Sequence, residues 1–400
     1  MGKLKTIEPL KNAQRYFKQG DLTKEKIEAA IEHCLAIIDA NMAKFGERFP
    51  WSATKNNAYE TFEYVDWTDG FWTGMLWLAY EYTGDDKYVK LAYKNIEVYK
   101  RRMDEKLDIA HHDLGFLYSP SVVAAYKLTG DKDARDLGLR AAEHLSGRYV
   151  EPGGFIQAWG ELGHQDSYRL IVDCLINIPI LYWASDESGD TKYREMADHH
   201  YQQTILNAVR DDASAFHTFF FDSQTGEPLY GKTRQGYSDD SSWARGQAWL
   251  IYGLALNQSY NQHSQEADDT LHNFKAVTNY FLNRSPQDLV AFWDLIFTDG
   301  DNQSRDSSST AIAVCGINEM LKYMPETDEY KEVYRKASHA LLGSLIDNYM
   351  TKEVYAAAPL LKHGVYSWHS GKGVDEGNIW GDYYFLEALI RFHKNWKMYW

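Results

Sequence analysis

The sequence predicts an all-α fold in which six helical hairpins close into a double ring. Two observations carry this reading. A Gly-Asp turn recurs at Tyr82-Thr83-Gly84-Asp85, Leu128-Thr129-Gly130-Asp131 and Glu187-Ser188-Gly189-Asp190. Glycine there can end one helix in the left-handed conformation, and aspartate can cap the next. The segments flanking each turn also differ in kind. Residues 170–184, LIVDCLINIPILYWA, are apolar on nearly every side, whereas Tyr193, Met196, Ala197 and Tyr201 form one stripe on a polar helix. The first pattern suits a helix buried all round and the second suits a helix with one exposed face. An open solenoid is the competing architecture, but it needs polar capping repeats at its ends.

The elements follow in order. A first helix is expected near 22–45. An apolar helix at 68–83 contains Trp72 to Tyr80 and precedes the first turn, and its charged partner spans 86–103. Helices at 115–128 and 132–147 flank the second turn, and helices at 167–187 and 190–208 flank the third. An apolar helix at 242–258 pairs with 264–283, where Ala267, Leu271, Phe274 and Phe281 make an outer stripe. Helices at 306–323, 328–349 and 377–395 complete the set. Long polar, aromatic loops are expected at 151–166, 211–241 and 350–376, and function concentrates on such loops. Nothing in the chain reads as a linker, so residues 1–400 are expected to form one domain.

Composition narrows the function. The 42 Lys and Arg against 57 Asp and Glu give a net charge of −15, which lacks the footprint of a nucleic-acid binder. Aromatic residues make up 15% of the chain, with 13 Trp, 29 Tyr and 17 Phe. Most serve the core, but flat aromatic faces also hold sugar rings. Cys34, Cys174 and Cys315 are sparse, odd in number and far apart, which suggests free thiols in a reducing, cytoplasmic setting. No apolar signal segment or membrane-length apolar run is present. Met1, Gly2 and Thr6 satisfy a lipidation pattern too short and common to carry weight. Walker, dinucleotide, nucleophile-elbow and paired-cysteine zinc motifs are all missing.

Asp173 is the most informative residue. It lies in the apolar run Ile171-Val172-Asp173-Cys174-Leu175-Ile176, where desolvation raises a carboxyl pKa toward that of a general acid. On a helix, Arg169 and Asn177 would share its face. Two readings therefore stay open, a general acid or half of a structural ion pair with Arg169. Asp113 follows His111 and His112 and reads either as a helix cap or as a second carboxylate for glycoside chemistry. Adjacent histidines chelate one ion poorly, so no metal is expected. Trp67, Phe71 and Trp159 lie in loop-like or helix-entry segments, as does the polar stretch from Arg234 to Arg245. Arg245 near a helix start favours an anion such as a uronate carboxyl.

At these residues the chain resembles the unsaturated glucuronyl hydrolases, glycoside hydrolases with an (α/α)6 barrel. The matching stretches are DWTDGFWTGMLWLAYEYTGD, HHDLGFLYS, IQAWG, RLIVDCLINIPILYWA, FHTFFFD, the RQG to RGQAW segment, SRDSSSTAIA and IWGDYYFLEALIR. They cover nearly the whole chain. The resemblance implies release of an unsaturated uronic acid from a lyase-generated glycosaminoglycan disaccharide, of chondroitin or hyaluronan type, by hydration of its C4=C5 vinyl ether. It implies Asp173 as the proton donor and Asp113 as the second aspartate. It places His112, Trp67, Phe71, Trp159, His217, Gln235, Arg245, Trp249 and Tyr366 around the sugar, with no cofactor. Arg234 and the Ser367-Trp368-His369-Ser370-Gly371-Lys372 segment resemble the branch that handles host glycosaminoglycans. Arg234, Ser367, Ser370 and Lys372 are therefore expected to take a 6-sulfate. A rhamnogalacturonyl hydrolase, an N-acylglucosamine epimerase-like isomerase and a non-catalytic sugar-binding protein are the rivals. The expected assembly is a monomer or homodimer.

Overall fold

Among the described residues, six helices buried on nearly every side form an inner ring, and six more wrap around them. The computed structural model describes residues 4–264 and 266–400, so the Met1-Gly2 lipidation pattern begins outside the described residues. The inner helices are Asp69–Thr83, Leu114–Tyr118, Cys174–Asn177 with Pro179–Ser188, Ala244–Asn261, Ser307–Met320 and Ile379–His393. The second of these continues through a π turn, Ser119–Val123, into Ala124–Thr129. Pro120 lies in that turn, where its missing N–H and its ring disfavour a regular α-helix. The outer helices are Lys24–Phe45, Asp86–Glu105, Lys132–Ser146, Lys192–Gln203, Ala267–Arg284 and Lys331–Ser344.

Each inner helix packs on the next, and Ile379–His393 returns to Asp69–Thr83, so the ring is closed. This is an (α/α)6 barrel rather than a solenoid. The sixth pair is non-sequential: Lys24–Phe45 packs against Ile379–His393. Every seam between neighbouring inner helices also carries a glycine in close approach. Gly70 meets Phe116, Gly115 meets Asn177, Gly253 meets Leu175, Gly316 meets Tyr252, Gly381 meets Ser308 and Gly74 meets Tyr383. A Cβ at any of them would press on the facing helix.

The predicted turns form as expected. Gly84, Gly130 and Gly189 all have positive φ, while Asp85, Asp131 and Asp190 accept backbone N–H groups of the following helix. These short turns lie at one end of the barrel and connect inner to outer helices. The long outer-to-inner connections therefore gather at the opposite end, where every inner helix begins.

One helix boundary differs from the sequence reading. The expected 167–187 helix starts only at Cys174, because Arg169–Ile171 is a strand. It pairs with Thr218–Phe221, which pairs in turn with Pro228–Lys232. A short apolar run has no period that separates a strand from a buried helix, and here pairing with the 218–221 segment decides. Asp173 thus sits at a helix start rather than inside a helix. The long loops likewise contain the hairpins Tyr149–Val150 with Phe155–Ile156 and Gly364–Ser367 with Lys372–Glu376. No helix among the described residues is long and apolar enough to cross a membrane.

Candidate active site

The loop end of the barrel opens into a cavity of about 480 Å³. Its walls come from Trp67, His112, Asp113, Trp159, Ile171, Asp173, His217, Arg234, Gln235, Tyr366, Ser367, Ser370 and Lys372. These residues come from five separate loops, so the cavity exists only once the ring has closed.

Asp113 and Asp173 stand at the starts of adjacent inner helices. Asp113 occupies a cap position, yet its side chain makes no cap bond and its carboxylate turns instead toward His112 and Asn177. Asn177 fixes the geometry from below. Its Oδ1 accepts the Phe116 N–H at 2.7 Å, and its Nδ2 donates to Asp113 Oδ1 at 3.5 Å and to the Asp173 carbonyl at 3.3 Å. His112 Nε2 lies 3.3 Å from Asp113 Oδ1 and 3.5 Å from Asp173 Oδ1. Arg169 does not pair with Asp173. Its guanidinium lies over the Trp159 ring at 3.7 Å, and its Nη1 donates to the Asp166 carbonyl.

The two carboxyls ionise differently. Burial pushes the Asp173 pKa well above its ordinary value, and the neighbouring Asp113 charge adds to the rise, outweighing Arg245. Burial also acts against the Asp113 anion, but His112, the His111 hydrogen bond and Asn177 prevail, and its pKa ends lowered. Burial holds His112 neutral, with its pKa pushed down to about 4. One proton-carrying and one ionised carboxyl side by side form an acid–base pair. The donor atoms of His112, Asp113 and Asp173 lie within 4.8 Å of one another. A divalent cation would find three ligands there. The same cluster is also accounted for by an imidazole N–H donated between two carboxyls that share one proton.

The flanks are polar and aromatic. His217 Nδ1 accepts the backbone N–H groups of Arg234 and Gln235 at 2.9 and 3.1 Å, which leaves Nε2 as the donor. Burial and the Arg245 charge hold it neutral, with its pKa near 3. Trp67 stacks on Trp380 and donates to the Tyr366 hydroxyl at 3.2 Å. Arg234 is exposed, and its guanidinium lies over the Trp159 ring at 4.9 Å from the centroid. The Lys372 ammonium rests over Tyr366 at 4.0 Å and Trp51 at 4.7 Å.

Three expected sugar contacts lie behind the wall instead. Phe71 and Trp249 are fully buried, each packed at a tilt against Phe116. Arg245 is buried as well. Its guanidinium donates to Asp306, the Val365 and Tyr366 carbonyls and Gln235 Oε1. Both terminal nitrogens are thus committed, and Arg245 orients Gln235 rather than presenting a free fork to a uronate. Reading the sequence missed Asp306, its buried counter-ion, and Ile171 in the cavity wall. Asp306 was detectable as a lone carboxylate ahead of an apolar helix; Ile171 carried no signal, because its segment reads as helix.

A closed ring of helical hairpins with a carboxyl pair in an aromatic-rimmed cavity defines a carbohydrate-processing enzyme. The chain belongs to Glycosyl Hydrolase Family 88, whose family pattern matches residues 37–395. It is 56% identical over 394 residues, 98% of either chain, to the unsaturated chondroitin disaccharide hydrolase of Streptococcus agalactiae. The crystal structure of an unsaturated glucuronyl hydrolase from the same organism superposes with a TM-score of 0.98 at 55% identity, covering 100% of both chains. A mutant of that enzyme complexed with dGlcA-GalNAc6S superposes with a TM-score of 0.90 at 51% identity, again covering 100% of both chains.

Proposed function

We propose that this chain releases the unsaturated uronic acid from lyase-generated chondroitin- or hyaluronan-type disaccharides by hydrating the C4=C5 vinyl ether. The split pair Asp113 and Asp173, bridged by His112, carries this reading. Asp173, held protonated by burial and by the Asp113 charge, gives its proton to C4. Water adds at C5, and its departing proton returns to the Asp173 carboxylate. The resulting hemiketal opens, expelling the second sugar as an alcohol and leaving a 4-deoxy-5-keto uronate. Asp113, kept ionised, stabilises positive charge developing on the ring. Carboxyls this close leave no room for the water that an inverting displacement places between groups about 6.5–9.5 Å apart.

The remaining roles follow from position. Trp67, Trp159 and Tyr366 flank the sugar rings, and neutral His217 and the Gln235 amide donate to the uronate. Arg234, Ser367, Ser370 and Lys372, on the rim of the same cavity, receive a 6-sulfate on the amino sugar. In a chain of net charge −15 these two cations offset long-range repulsion of a doubly anionic substrate. A histidine-pair isomerase fits less well, since two backbone N–H groups already occupy His217 Nδ1. We further propose a single catalytic domain over 1–400, cytoplasmic residence consistent with three free cysteines, and a monomer or homodimer that engages no nucleic acid.

The test is loss of the ultraviolet absorbance of the substrate double bond. Incubation with unsaturated chondroitin disaccharide should bleach it and release a keto acid. Unchanged absorbance with a folded enzyme would reject the reading.

A further inference from the structure

Two buried histidine nitrogens near the site have no hydrogen-bond partner: Nδ1 of His112 and Nε2 of His200. His200 lies on the outer helix Lys192–Gln203 and has no exposed surface. A buried polar atom without a partner is costly, so two of them beside a reacting cluster call for a physical account.

Their tautomers follow from their other contacts. His200 Nδ1 accepts the Ile156 backbone N–H at 3.0 Å, so it carries no proton, and in neutral His200 the proton sits on Nε2. On the other ring, His112 Nε2 stands between the Asp113 and Asp173 oxygens. A lone pair there would face the ionised Asp113 oxygen, the nearer of the two, so the proton belongs on Nε2 and the lone pair on Nδ1. One orphan is therefore a donor and the other an acceptor. Both residues attach to the same short stretch of chain: His200 receives the N–H of Ile156, and the Ala158 carbonyl accepts the N–H of His112 at 2.7 Å.

We propose that His200 is a positioning residue: its Nε2–H reaches the Nδ1 lone pair of His112 through one bridging water, and so fixes the tautomer that turns N–H toward Asp113. The water then satisfies both orphans. The electrostatics agree: burial first, and then the repulsion that two charged rings would suffer, push the His200 pKa down to about 3. Burial also depresses His112, opposed by Asp113 and reinforced by His111, Arg148 and Arg169. Both rings stay neutral and keep one tautomer each. With the wrong tautomer, His112 would aim a lone pair at Asp113 and would no longer favour its ionised form.

This inference rests on the reading of His112, Asp113 and Asp173 as the reacting cluster, and the experiment keeps the two apart. The full-length enzyme is labelled with ¹⁵N-histidine, and ring-nitrogen shifts are recorded for wild type, His200→Phe and His200→Gln. Wild type should show His112 protonated at Nε2 and unprotonated at Nδ1. The phenylalanine variant keeps ring volume but has no donor. It should show a mixture of His112 tautomers and a kcat about tenfold lower with KM nearly unchanged, the usual cost of losing an outer group that orients a histidine. The glutamine variant returns an amide N–H near the Nε2 position and should recover most of that loss. A wild-type spectrum with the proton on His112 Nδ1 or His200 Nδ1 overturns the proposal even if no variant folds. So does a folded phenylalanine variant with wild-type kcat and an unchanged His112 signal. Full activity in Asp173→Asn would instead remove the reading of the cluster itself.

Discussion

The backbone of Gly115 lies so close to that of Asn177 that a Cβ at residue 115 would come within 2.3 Å of the Asn177 Cα. This approach seats the start of one inner helix on the next. It brings Asp113 to the Asn177 amide and, through it, to the Asp173 backbone. The acid–base pair is therefore a product of helix packing. Gly115→Ala should push the two helices apart, costing about 1–3 kcal/mol as overpacking does. A thermal melt should register the loss, and kcat should fall by more than the unfolded fraction explains. Wild-type melting and turnover would show that the seam can relax.

Asp173→Asn keeps the size of the side chain but cannot transfer a proton. Turnover should fall by at least about 10²-fold, in line with loss of a general acid, while circular dichroism and melting temperature stay near wild type. More than about a tenth of wild-type turnover would reject Asp173 as the donor.

The pH profile should respond to Asp113→Asn in a stated direction. Asp173 must be protonated to act, so activity falls as pH rises through its elevated pKa. The Asp113 charge contributes to that elevation. Removing it lowers the Asp173 pKa, so the alkaline limb of the residual kcat/KM profile should move to lower pH. In wild type, the acid limb should appear as pH falls toward 4, where His112 begins to protonate and its charge opposes the positive charge that develops on the sugar ring. An alkaline limb that stays in place in the variant would uncouple the two carboxyls.

Arg234→Ala and Lys372→Ala should each raise KM for 6-sulfated chondroitin disaccharide by about ten- to a hundredfold, the range of a charge-assisted contact. Wild type should prefer this substrate to the unsulfated and uronate-2-sulfated forms. The unsulfated disaccharide should be barely affected by either change. Equal losses on both substrates would assign these residues to the sugar rings or the fold.

At the far end of the barrel, Arg391 is buried among Glu319, Glu387 and Tyr252. Its loss leaves Glu387 without its cation and Glu319 with Lys322 alone. Arg391→Met should destabilise by about 3–5 kcal/mol, as when one partner of a buried pair is removed. Denaturant titration measures this, and specific activity of the folded fraction should remain close to wild type.

Most of the helices, the Gly-Asp turns and the division into inner and outer faces were legible in the chain before it folds, the strand at Arg169–Ile171 being the exception. These depend on local chemistry: a left-handed glycine, a capping aspartate, and apolar residues on one side of a helix or on all sides. The sequence also marked Asp173, since a carboxyl in an apolar run is expensive wherever the chain folds. Only the tertiary structure decided the rest. Ring closure pairs Lys24–Phe45 with Ile379–His393, a contact between segments more than 300 residues apart. Arg169 reads as the helical neighbour of Asp173 until Thr218–Phe221 pairs with its segment as a strand and hands the guanidinium to Trp159. Arg245 reads as a free anion fork until Gln235 of its own loop, and Asp306 and two carbonyls from other loops, occupy it. The resemblance places Phe71 and Trp249 around the sugar, yet both are buried in the core against Phe116. Local pattern fixes which surfaces must be covered; partners distant in sequence fix which polar groups remain free for substrate.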